Sequence, residues 1–118
     1  MAFNSANLPM QLANVSGQGV GTVLSSTGGV QDNSPFVAIL VVLSAGAAPS
    51  ITPTVQWSHD GQTWFAGDPA DTMTPIAAVS AVGAAKSFTR KAPFHRVSMN
   101  VTAGTGVAYQ VYSWSYGA

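Results

Sequence analysis

The stretch FVAILVVL, Phe36 to Leu43, is apolar on both of its alternating faces: Phe36, Ala38, Leu40 and Val42 on one, Val37, Ile39, Val41 and Leu43 on the other. It lies between the break Asp32-Asn33-Ser34-Pro35 and the Gly46- and Pro49-bearing stretch Ala45 to Ser50, which reads as a loop. So short a run is a buried strand, since crossing a bilayer takes roughly 20 apolar residues. A sandwich buries one face of each sheet, so the second face of this strand calls for an arm, a long loop or another subunit.

Working outward, Thr54 to Ser58 alternates, with Val55 and Trp57 opposite Thr54, Gln56 and Ser58. His59-Asp60-Gly61-Gln62 follows, and Asp-Gly supplies the positive-φ position of a hairpin. Trp64 and Phe65 open the returning strand, which Gly67-Asp68-Pro69 ends. On this reading Trp57 and Trp64 pack across the hairpin. Phe94 to Val101 is the clearest half-buried strand, with His95, Val97, Met99 and Val101 on one face against Arg96, Ser98 and Asn100. Thr102 to Gly106 reads as a turn, and Val107 to Tyr116 as a last strand that sets Val107, Tyr109 and Val111 against Tyr112, Trp114 and Tyr116. Val15 to Leu24 is a glycine-softened strand and Lys86 to Arg90 a short edge strand guarded by its charges. Pro75 to Lys86 has three-residue spacing at Ile76, Val79 and Val82, but Gly83 and weak capping favour strand or loop over helix. About six to eight strands separated by turns predict an all-β antiparallel sandwich or a jelly-roll-like barrel.

Residues 1–14 fit neither period and read as an extended N-terminal arm; residues 15–118 read as one domain. Removing residues 1–13 is then expected to leave the sandwich folded. The N-terminus lacks the positive region and apolar core of a secretory signal. At 118 residues and 12.0 kDa, folding hides roughly 65% of the unfolded chain's surface, enough for one modest core.

Hydrophobic residues make up 47% of the chain and charged ones 7%, against about 25% charged in ordinary soluble domains. With zero net charge, such a surface associates readily, which predicts that neighbours cover much of it in an oligomer. The acids Asp32, Asp60, Asp68 and Asp71 all precede the bases Lys86, Arg90, Lys91 and Arg96. That split suits head-to-tail pairing between subunits or, more simply, neutralisation within the fold. Four bases without net positive charge leave little footprint for nucleic acid.

The chain offers little for catalysis. It has no cysteine and no glutamate, hence no disulfide, thiolate site or Cys nucleophile. Ser58-His59-Asp60 holds the letters of a catalytic triad, but adjacent residues on a hairpin cannot take up its geometry. His95 reads as a hydrogen-bonded core or boundary residue. Asp60, Asp68 and Asp71 are the acids near enough for paired-carboxylate chemistry or calcium, yet DGQTWFAGDPAD lacks the alternating oxygen ligands and closing Glu of a calcium loop. No phosphate loop or dinucleotide fingerprint occurs. A non-enzymatic protein without metal or cofactor is expected.

The segments VQWSHDGQTWF (Val55 to Phe65) and APFHRVSMNVTAGTG (Ala92 to Gly106), with the alternating C-terminal strand, carry a resemblance over about residues 54–116. They resemble small β-sandwich structural proteins of tailed-phage virions, notably capsid decoration or cement proteins. The resemblance implies a protein on the capsid surface of a virion that binds the major capsid protein and copies of itself, often as a trimer or dimer, and links capsomers. It transfers no catalytic residue. The candidate interface residues are Phe3, Leu8 and Met10 of the arm and the stripe Tyr112, Trp114 and Tyr116. Aromatic side chains are enriched at subunit interfaces. The competing readings are a tail or fibre component, a carbohydrate-binding module whose stripe meets a surface glycan and, last, a small hydrolase. Neither nucleic acid nor membrane is expected as a partner.

Overall fold

A computed structural model describes residues 9–28 and 34–117. Six strands, β1 (Met10–Gln18), β2 (Gly21–Leu24), β3 (Phe36–Ser58), β4 (Phe65–Thr72), β5 (Ala84–Thr89) and β6 (Phe94–Tyr116), form a single antiparallel sheet. β3 and β6, each of 23 residues, pair from Phe36↔Tyr116 at one end to Ser58↔Phe94 at the other. β1 then β2 run along the free side of β6, and β5 and β4 along the free side of β3.

A ribbon this long cannot stay flat and bury a core, so it bends in the middle. Four irregularities between Leu43 and Ile51 alternately give β3 and β6 an extra residue, and they cancel. The register beyond the bend therefore keeps every inward residue inward. Gly46, Gly104 and Gly106 take positive φ here, as does Ala48 at 48°. At Gly104 a Cβ would lie 2.8 Å from the Pro49 Cα, so only glycine fits the inside of the bend. Each half of the ribbon, with two flanking strands, becomes one layer of a sandwich. Val37, Ile39, Val41, Leu43, Val107, Tyr109 and Val111 from the first layer share one core with Ile51, Val55, Trp57, Val97, Met99 and Val101 from the second. The smallest extent, 21 Å, suits two sheets packed about 10 Å apart.

Of the two forms expected, the structure is the sandwich, folded from one sheet whose edges stay open rather than closed into a barrel. The loop expected at Ala45 to Ser50 and the turn expected at Thr102 to Gly106 are instead the bent middles of β3 and β6. Val15 to Leu24 is divided between β1 and β2. β4 continues to Thr72, because 67–70 loop out between the pairs Gln56↔Ala66 and Val55↔Asp71 and pairing then resumes. Lys86 to Thr89 lies within β5, and Pro75 to Lys86 contains no helix, Ile76 bridging to Ile51 instead.

The stretch expected as an arm is corrected from Met10 on: Met10 to Asn14 belong to β1, and Leu12 is buried in the core at 2% exposure. Residues 1–8, with Phe3 and Leu8, lie outside the described residues. Removing residues 1–13 takes Leu12 and part of an edge ladder, so the expectation of unchanged folding is replaced. The melting temperature should fall by an amount corresponding to about 2–4 kcal/mol, as for loss of a buried Leu, while removal of residues 1–8 should leave β1 whole. Thermal melts of the two truncations check this.

The hairpin after Ser58 is confirmed, but its connection is longer than a tight two-residue turn. β3 ends at Ser58, and the first cross-strand pair is Trp57↔Phe65. Asp60 Oδ1 accepts from the backbone N–H of Gln62 and of Thr63, both at 2.8 Å, and Gly61 has φ 78°. Gly61→Val should cost about 1 kcal/mol or more in a melting experiment, because a β-branched residue is strained at that φ.

Candidate interaction surface

The two outer faces of the sandwich differ in chemistry. On the second layer, outward residues satisfy one another: Thr22 Oγ1 donates to Asn100 Oδ1 (3.3 Å), Thr54 pairs with Thr72 (3.2 Å) and Arg96 Nε donates to Gln56 Oε1 (2.7 Å). The Arg96 guanidinium also lies 4.2 Å from the centre of the Trp64 ring. Trp64 therefore does not pack across the hairpin on Trp57. Trp57 is fully buried, and its Nε1 donates to Asp71 Oδ2 (2.7 Å).

The outer face of the first layer is built differently. Strand alternation turns Tyr112, Trp114 and Tyr116 outward from β6, where the ladder sets them beside Leu40, Ala38 and Phe36 of β3. Phe36 and Tyr116 stack at 5.3 Å between centroids and 27° between planes. β1, β5 and these halves of β3 and β6 contain one charged residue, Lys86. It is paired with Ile39, on the inward side, and its Nζ donates to the Thr72 carbonyl (3.1 Å). Among the described residues the face is thus rich in aromatic side chains and free of charge. Its amides engage their neighbours: Gln11 Nε2 donates to Tyr112 Oη, and Gln110 Nε2 to Asn14 Oδ1 and Ser44 Oγ, each at 3.3 Å.

Of the candidate interface residues, the structure thus brings Tyr112, Trp114 and Tyr116 together. Met10 does not join them, because it pairs with the inward Ser113 and so lies on the inner side of the sheet's edge. Phe36 was missed as a member of the face; the signal was the two-sided apolarity of its own strand.

The groups considered for catalysis have structural work. Ser58 Oγ donates to Asp60 Oδ1 (3.0 Å), while exposed His59 stacks on Phe65 at 5.6 Å. N–H donation from Thr63 and Gln62, then the Ser58 hydroxyl, holds the Asp60 carboxyl down at about 2. Asp71 Oδ2 meets Lys91 Nζ at 2.6 Å, so this part of the acid–base split is neutralised within the fold. Asp32 lies outside the described residues. Among the described residues no group of three His, Cys, Asp or Glu could hold a metal ion.

His95 is a buried titratable group of the core. Its Nε2 lies 3.1 Å from Ser113 Oγ, a contact that ties the two layers together, and its ring lies 6.2 Å from that of Trp57. Gly28 packs so closely over it that a Cβ would lie 2.5 Å from the ring. Nδ1 has no hydrogen-bond partner among the described residues. Burial first, and the positive charge of Arg90 second, push the imidazole down to about 4.

No family model and no curated protein matches the chain. Among solved structures, the crystal structure of PBSX exported protein XepA is similar, with a TM-score of 0.66 and 11% sequence identity. The likeness is one of fold. It covers 100% of this chain and 40% of the XepA chain, so the chain spans about two-fifths of that protein's length.

Proposed function

We propose that the chain is a non-enzymatic structural protein of a phage particle, attached to the capsid surface through the charge-free face around Phe36, Trp114 and Tyr116. That face carries the reading, since aromatic area without charge is the composition of the centre of a protein interface. Two further points support it: the fold is shared with PBSX exported protein XepA, and residues 54–116 resemble small β-sandwich structural proteins of tailed-phage virions, notably capsid decoration proteins. Repetition over a shell would let weak individual contacts add through effective concentration. A sugar reader needs polar groups converging on its rings, whereas Gln11, Gln110 and Asn14 are engaged with neighbouring side chains.

The test is co-sedimentation with shells assembled from the major capsid protein of neighbouring reading frames, beside a glycan array. Shell binding without glycan binding supports decoration. Binding to tails or fibres alone moves the protein to the tail, and glycan binding lost on Trp114→Ala makes it a carbohydrate-binding module.

A further inference from the structure

The sheet has four edge segments, and three carry a feature that discourages pairing with another chain. β1 is broken by register shifts between Gln11 and Ala13 and between Val15 and Gln18. β4 loops out at 67–70, with Pro69 in the loop. β5 has Lys86 among its six residues. β2 has no such feature: Gly21–Leu24 pairs with β6 in unbroken register, all four residues are exposed, and no charged residue or proline occurs from Gln18 to Thr27.

Among the described residues, the pairing fixes which backbone groups of β2 are free as far as Leu24, beyond which the outward N–H of Ser26 donates to the Leu12 carbonyl of β1 (3.0 Å). Ser25 N–H donates to the Val97 carbonyl, in register with the ladder. Hydrogen-bonded pairs alternate along antiparallel strands, so Val23↔Met99 is bonded and the N–H and C=O groups of Thr22 and Leu24 point away from the sheet. Free donors and acceptors at strand spacing are matched by another strand. We propose that β2 pairs antiparallel with β2 of a second copy of this chain, about a two-fold axis through Val23, joining two sandwiches edge to edge.

The proposal commits to a second copy because β2 is self-complementary about Val23. Thr22 faces Leu24 of the partner copy and Leu24 faces Thr22, each exchanging two backbone hydrogen bonds. The two Val23 residues form the non-bonded pair between them, where side chains approach most closely. Val23 is 37% exposed and Leu24 47%, so the added strand covers apolar surface the single chain leaves in water. With no charged residue from Gln18 to Thr27, the paired strands themselves bring no like charges together. This edge is separate from the aromatic face, so its failure leaves the proposed function standing.

The full chain has no cysteine, so a single introduced thiol reports the pairing directly. Val23→Cys should oxidise to a covalent dimer under mild conditions, because partners in a non-bonded antiparallel pair lie about 4.5 Å apart at Cα. Ser87→Cys, on the β5 edge, should stay largely monomeric. In sedimentation velocity, Val23→Lys and Val23→Glu alone should each lose the dimer, and an equal mixture should regain it. Thr22→Pro removes an outward N–H without breaking a bond to β6; it should abolish the dimer with the circular dichroism spectrum unchanged. A wild-type chain that stays monomeric at 100-fold dilution steps up to its solubility limit overturns the proposal. So does a dimer that survives Thr22→Pro, or equal cross-linking of the two cysteine variants.

Discussion

Between pH 6.5 and pH 4 the folded protein should lose about 3 kcal/mol of stability, and His95 should account for the loss. An unfolded chain protonates this imidazole near 6.5, whereas the folded one resists until about 4. Above the window neither state carries the proton. Within it the unfolded state binds a proton that the folded state does not, so stability falls as pH falls, and below it the two states are again equal. The structural cause is a ring inside the core with Ser113 Oγ on Nε2 and no partner on Nδ1 among the described residues. A second N–H there would meet no acceptor, beside Arg90 of like charge. Urea melts at half-unit pH steps measure the slope. His95→Gln should be less stable at pH 7 but flat across the window, and an unchanged slope in that variant would place the titration elsewhere. Asp60 contributes in a separate, more acid window, because its carboxyl ordinarily titrates at 3.8 and is held to about 2 in the fold.

Two tryptophans should separate folding from binding. Trp57 is fully buried in the core, so Trp57→Ala should cost about 3–5 kcal/mol from the cavity and the lost burial. It also leaves Asp71 without one of its two donors on Oδ2. Trp114 lies half-buried on the outer face, and its removal should shift the melt much less while abolishing partner attachment at concentrations where the wild type binds. If Trp114→Ala binds as the wild type does, the aromatic face is not the attachment surface. If Trp57→Ala melts normally, the assignment of the core is wrong.

The strands that alternate cleanly were legible in the sequence, and those that bulge were not. Phe94 to Val101 and Val107 to Tyr116 keep strict period two, so their inner and outer faces followed from residue order alone. What joins them did not. Ala45 to Ser50 and Thr102 to Gly106 are each a run of small residues with glycine, which locally means a turn. They stay paired because each bends against the other, a long-range coincidence that neither stretch encodes. A 23-residue strand also lies far beyond the usual length of about five or six residues, so nothing local argued for it. Met10 to Asn14 was hidden by the register shift after Gln11, which breaks the alternation that would have marked Leu12 as core. Trp64 was misplaced for a related reason. The ladder restarts at Phe65, and a one-residue offset moves a side chain to the other face.

The aromatic stripe on β6 was legible for the same reason as its strand. Its extent was not: Phe36 and Leu40 join it only because the ladder sets Tyr116 and Tyr112 beside them. The lack of charge on that face was implicit in the composition, but whether so few charges gather on one surface or spread over all is decided by the fold. They lie largely with the second layer and its loops, as Asp60, Asp71, Lys91 and Arg96 do.

Hydroxyl-radical footprinting of the free protein and of the protein on assembled shells decides which face is attached, because it reads each aromatic side chain on both faces at once. Attachment through the charge-free face predicts that oxidation of Phe36, Trp114 and Tyr116 falls at least several-fold on the shell while Trp64 keeps its reactivity. Protection of Trp64 with Trp114 and Tyr116 unchanged would contradict it.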